Sequence, residues 1–149
     1  MAVVQRSVQI DASPEATMAL LSEATRWPDW YPGMTKIEVT PPFPEAGGKV
    51  AFKVKSAGLS MGIDETVLEY RPGELQLLEM EGMLSGRARW ELTPEGDGTR
   101  LTTTFDYALP GGPLGRVADA LIVKRMNTKS LEGGLHNLKA LVERQSPVA

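Results

Sequence analysis

The sequence contains no cysteine and only one histidine, His136. Without thiols there can be no disulfide, no thiolate metal site and no cysteine nucleophile. One imidazole cannot supply a multi-histidine zinc or iron site, so no metal and no cofactor is expected. A serine–histidine–acid triad would have to use His136, which falls in a predicted helix, and no nucleophile elbow is expected. The formal net charge is only −3, with both signs scattered. That leaves no basic stripe of the kind nucleic acid demands, so no nucleic-acid partner is expected. No apolar run approaches the roughly 18 residues of a membrane span, which argues against stable membrane insertion. Met1 to Arg6 lack a charged segment followed by an apolar core, and a cytoplasmic location is the expectation.

What is present fits one globular domain spanning residues 1–149. Apolar residues make up 42% and charged residues 23% of the chain, close to globular averages. Val4 to Ile10 alternates, with Val4, Val8 and Ile10 on one side, as in a half-buried strand. Ser13 is a good N-cap and Pro14 suits the first helical position. A short helix is therefore predicted from Pro14 to about Glu23, burying Ala16, Ala19 and Leu20. Arg26 to Gly33 holds two prolines, a glycine and the aromatics Trp27, Trp30 and Tyr31, and fits a broken helical turn. Strands follow at Lys36–Thr40 (Ile37 and Val39 inward), Lys49–Lys55, Ser60–Tyr70, Leu75–Met80, Gly86–Thr93 and Thr99–Leu109. The pattern slips near Val67-Leu68, which predicts a bulge. Leu114 to about Arg144 reads as one long helix.

Short connections between consecutive strands imply an antiparallel meander. The fold class is α+β: a curved antiparallel sheet of about seven strands around a long C-terminal helix, with two short helices after the first strand. Val8 to Glu15, Arg26 to Pro32, Gly98 to Thr102, Tyr107 to Gly115 and Ser130 to Glu132 carry a family resemblance. Through these segments the chain resembles the polyketide cyclase/dehydrase family of the START-like, helix-grip (SRPBCC) superfamily. The resemblance covers nearly the whole chain. It implies a deep, mostly apolar cavity between sheet and helix, with a lipid, quinone or polyketide-like ligand, and no family-wide catalytic set.

The long helix carries two apolar stripes, Leu114, Val117, Ala118, Leu121 and Ile122, then Leu131, Leu135, Leu138 and Val142. Between them Arg125 and Thr128 are expected to face inward. Arg125 then recognises a ligand oxygen, or pairs with a strand acid such as Glu65, or snorkels to solvent. Gly133-Gly134 is expected to add a bend. Trp27, Trp30 and Tyr31 lie near the expected cavity entrance, as ligand contacts or as a packed lid. Tyr31 and Tyr107 are candidate proton donors, against a structural hydrogen bond for each hydroxyl. Phe52, Met61, Ile63, Met80, Trp90, Phe105 and Leu121 are expected inside, as core or as ligand contacts. Asp64 and Glu65 must face opposite sides of their strand, and the bulge leaves open which one faces in. Arg87, Arg89 and His136 are read as solvated. The leading function is binding of a hydrophobic small molecule. The alternatives are a cyclase or dehydratase on an aromatic polyketide-like substrate, and an accessory domain docking proteins or membranes through an exposed Trp27–Tyr31 patch. Oligomeric state is not specified by the sequence.

Overall fold

The computed structural model describes residues 2–56, 58–108 and 116–145. The elements in order are β1 (Ala2–Ile10), α1 (Pro14–Leu21), a 3₁₀ helix (Ala24–Asp29), β2 (Met34–Thr40), β3 (Lys49–Ser56), β4 (Leu59–Arg71), β5 (Leu75–Gly82), β6 (Ser85–Glu95), β7 (Gly98–Ala108) and α2 (Arg116–Gln145). The seven strands form one antiparallel sheet in the order β1-β7-β6-β5-β4-β3-β2. Short connections, the longest being residues 41–48 between β2 and β3, make β2 to β7 a meander. The first strand then pairs with the last, from Ala2 opposite Tyr107 to Ile10 opposite Thr99. The predicted bulge is present between Val67 and Glu69.

Local chemistry sets the ends of α1. The Ser13 hydroxyl accepts from the Ala16 N–H at 3.1 Å, and Pro14 opens the first turn. The buried face differs from expectation: Thr17, Met18, Leu20 and Leu21 are buried, whereas Ala19 is exposed and Ala16 half-buried. The helix packs its wider residues inward and turns its alanines outward. In β2 the register shifts between Thr35 and Glu38, around Lys36 with φ +56°. That irregularity on an edge strand buries Met34, leaves Ile37 half-buried and turns Val39 toward solvent, contrary to the alternation in the sequence.

The inner face of the sheet and α2 share one core. Leu131, Leu135, Leu138 and Val142 are buried as their spacing predicts, each contributing roughly 2 kcal/mol. Of the other stripe, Leu114 lies outside the described residues, as do the side chains of Val117 and Ala118. Leu121 and Ile122 are 56% and 52% exposed, which corrects the expectation that they face inward. Ile122 lies nine residues before Leu131, and at about 100° per residue it points the opposite way. The inward line instead continues from Leu131 through Asn127, Met126 and Val123. Arg6 pairs with Glu132 at 3.0 Å, and the Lys139 ammonium donates to the Gln9 carbonyl at 2.8 Å, so polar links fix α2 along β1.

Gly33 ties the aromatic segment to the sheet. Its φ is +76°, its carbonyl accepts from the Lys55 N–H at 2.9 Å, and a Cβ there would lie 2.1 Å from the Lys55 carbonyl oxygen. Gly33→Ala is expected to lower stability by about 2 kcal/mol or more, read as a lower urea midpoint with unchanged slope.

Candidate functional site

Between sheet and helix lies a cavity whose wall comes from most of the chain. Phe52 and Val54 come from β3, Met61, Ile63 and Glu65 from β4, Met80 from β5, Leu84 from the following turn, Trp90 from β6 and Phe105 from β7. Trp27, Trp30, Tyr31 and Met34 close one side, and Asn127 of α2 another. The rings are packed edge to face, Trp30 on Trp90 at 5.8 Å, Trp90 on Phe105 at 6.0 Å and Trp27 on Phe52 at 6.1 Å. The cavity is small as it stands, about 50 Å³, room for a few water molecules. A larger occupant has to move wall side chains. Met34, Met61 and Met80 are suited to that, being unbranched and flexible.

The segment Trp27–Tyr31 is held on three sides. The Trp27 indole N–H donates to the Leu21 carbonyl at 2.9 Å, and the Asn137 amide donates to the Trp30 carbonyl at 3.0 Å. Gly133 and Gly134 are where Pro32 and Tyr31 meet the helix: a Cβ on Gly134 would lie 3.1 Å from the Tyr31 ring. The glycine pair therefore seats the segment against α2. Trp27, Trp30 and Tyr31 are all buried, so the exposed aromatic patch required by the accessory-domain reading is not there.

Glu65 is the exception in this wall. It is 6% exposed, on the same inner face as Met61 and Ile63, opposite Val50 and Met80 on the neighbouring strands. Burial pushes its carboxyl up to about 8. Burial, then the nearby Glu65 and Tyr107, push the Tyr31 hydroxyl well above its ordinary value. The Tyr107 hydroxyl is also raised by burial; the Asn127 amide faces it and offsets part of that rise, without good hydrogen-bond geometry. Among the described residues Trp30 Nε1, Asn127 Nδ2 and Tyr107 Oη are buried without hydrogen-bond partners. The structural hydrogen bond expected for Tyr107 is thus not made.

Of the predicted site residues, the structure brings Trp30, Tyr31, Phe52, Met61, Ile63, Met80, Trp90 and Phe105 to the cavity wall, and buries Tyr107 beside it. It places Leu121, Arg125 and Thr128 elsewhere, in an open surface groove with Lys124, Lys129 and Glu132. The Thr128 hydroxyl donates to the Lys124 carbonyl at 2.8 Å, and Arg125 is exposed. The expected ligand contact through Arg125, and its pairing with Glu65, are both corrected by this geometry: Arg125 is six residues from Leu131, about 120° off the buried line. Asn127, Met34, Val54 and Leu84 were not foreseen as lining residues; Trp27 was expected only near the entrance, and which of Asp64 and Glu65 faces in was left open. Glu65 had a signal, since alternation from Met61 and Ile63 reaches it before the bulge. Arg87 and His136 are exposed, and Arg89 pairs with Glu91 on the outer face. Gly58-Leu59-Ser60-Met61-Gly62 does spell the G-x-S-x-G pattern, contrary to expectation. Ser60 is exposed in a strand, not at the strand-to-helix turn an elbow requires.

The family described as polyketide cyclase / dehydrase and lipid transport matches residues 1–143. The chain belongs to that family. No curated protein sequence matches the chain. Among solved structures, the Zhui aromatase/cyclase from Streptomyces sp. R1128 is similar at a TM-score of 0.84 and 15% identity, over 97% of this chain and 94% of its own. A START superfamily protein from Mycobacterium smegmatis is similar at 0.76 and 21% identity, over 97% and 99%. A protein of Thermus thermophilus is similar at 0.80 and 21% identity, over 97% and 99%. These likenesses establish the helix-grip fold. No described helix is long and apolar enough to cross a membrane.

The Glu65 carboxyl makes stability depend on pH. Unfolded, it ionises near 4.5; folded, it holds its proton up to about 8. The folded state therefore binds more protons in between, and stability falls as pH rises from about 4.5 to about 8, then levels off. Glu65→Gln should remove this slope. Its gain in stability is expected to be about 4 to 5 kcal/mol larger at about pH 9 than at about pH 4, measured by urea denaturation at both.

Proposed function

We propose that the protein binds a hydrophobic small molecule, of lipid, quinone or polyketide-like character, in the cavity between sheet and α2. The observation that carries this reading is a buried, aromatic-lined chamber with a few polar groups, the usual composition of a small-molecule site. The proposed contacts are Trp30, Tyr31, Phe52, Met61, Ile63, Met80, Trp90 and Phe105, with Glu65 and Asn127 added. Family membership agrees, since its description names both cyclisation chemistry and lipid transport.

A second reading is favoured by one specific observation. Burial pushes the Glu65 carboxyl up to about 8, beside the buried Tyr31 hydroxyl. A carboxyl poised at that value suits proton transfer to or from a bound substrate, as a cyclase or dehydratase needs. Binding comes first in either case, and proton transfer would be added to it.

The direct test is native mass spectrometry of protein purified from its own host, followed by denaturation and analysis of what is released. An apolar molecule at near one-to-one stoichiometry is expected. Gly134→Leu, which drives a side chain into the Tyr31 ring, should release it at unchanged helical content by circular dichroism. An empty wild-type protein, or equal retention by Gly134→Leu, would contradict the reading.

A further inference from the structure

The cavity wall contains one carboxyl group and, among the described residues, no lysine, arginine or histidine. The charged groups of α2 near this level, Lys124, Arg125 and Lys129, are on its exposed side. A negative charge entering the chamber would therefore meet no cation among the described residues. It would also meet Glu65. An anionic ligand and this carboxyl would repel if both were ionised. If they shared one proton, a net charge would remain buried in an apolar box, at a cost of several kcal/mol.

The wall's other polar groups point the same way. Trp30 Nε1 and Asn127 Nδ2 are donors left without partners, and such groups are costly to bury unpaired. Neither donor has an acceptor within hydrogen-bonding geometry among the described residues. A ligand oxygen would supply one. The Glu65 carboxyl, protonated at neutral pH, is a third donor.

We propose that Glu65 determines the charge class of the ligand: the cavity takes an uncharged hydrophobic molecule presenting an acceptor oxygen, such as a ketone, and rejects anions. This rests on the chamber being a ligand site. It goes further by excluding fatty-acid carboxylates and phosphorylated lipid headgroups from the interior, and by assigning Glu65, with Asn127, as the residues that discriminate.

Four molecules of one shape test it: acetophenone, benzoate, 1-phenylethylammonium and cumene. They present a neutral acceptor, an anion, a cation and a methyl-only surface. Chemical-shift titration followed at the Trp30 and Trp90 indole N–H signals reports binding at the wall. Acetophenone is expected to bind at least about fivefold tighter than cumene and about tenfold tighter than benzoate at neutral pH. Glu65→Gln should raise benzoate's affinity relative to acetophenone by about fivefold. Asn127→Leu should reduce acetophenone's advantage over cumene while leaving cumene unchanged. If cumene binds and acetophenone has no advantage, the cavity reading stands and this inference falls. Benzoate or 1-phenylethylammonium binding as tightly as acetophenone would also overturn it. No binding by any of the four would remove the cavity reading itself.

Discussion

Tyr31 rests on Gly134 at a point where even a Cβ on the glycine would crowd its ring, at 3.1 Å. A sheet of seven strands and a single long helix can close completely over one another only if nothing stands between them. Here Trp27, Trp30 and Tyr31 stand between them, fixed to α1 through the Leu21 carbonyl, to α2 through Asn137 and to β3 through Gly33 and Lys55. The wedge holds the helix off the sheet over β3 to β6. Farther along, where Leu131, Leu135, Leu138 and Val142 continue the helix's buried line, the core closes in ordinary side-chain contact. One helix thus does two jobs, sealing the core with its C-terminal half and roofing a chamber with Asn127.

The chamber's electrostatics give it a character the fold alone does not. An antiparallel sheet gripping a helix is shared with proteins only 15% to 21% identical to this one, and many chemistries fit such a scaffold. This chain places an acid on the inner face of β4 with aromatic rings around it. Its carboxyl is held in the uncharged form by lack of water, and its presence makes the Tyr31 phenol harder to ionise. Fold stability and recognition are coupled through it: a buried acid without a partner among the described residues weakens the protein at high pH, and a site that keeps such a residue excludes ligands that would worsen the imbalance.

Much of the fold was legible because strand and helix periods differ. The meander, the bulge after Val67, the cap at Ser13 and the stripe from Leu131 to Val142 each follow from local pattern, and the family resemblance through the Arg26–Pro32 segment agreed with them. The site was harder. Arg125 drew attention as a cation between two apolar stripes, but the stripes are not on one line, and Leu121 and Ile122 are exposed. Helix phase, accumulated over nine or ten residues, decided what local pattern could not. Glu65 was within reach through Met61 and Ile63, yet its proximity to the bulge obscured the parity. Trp27, Met34 and Leu84 sit in turns or at a strand's irregular end, where no period operates. Gly133-Gly134 suggested a bend, and the pair is also the seat for Tyr31 and Pro32, a contact between residues about a hundred positions apart that no local pattern contains.

Recognition and stability both depend on Glu65 being a buried carboxyl inside the chamber with no cation beside it among the described residues. Carbon-13 NMR titration of its side-chain carboxyl in the intact protein tests this most directly. A midpoint shifted well above the ordinary glutamate value, to about 8, is the predicted result. A midpoint at or below about 4.5, the ordinary value, would mean that the group is solvated or paired with a cation, and would contradict the chamber described here.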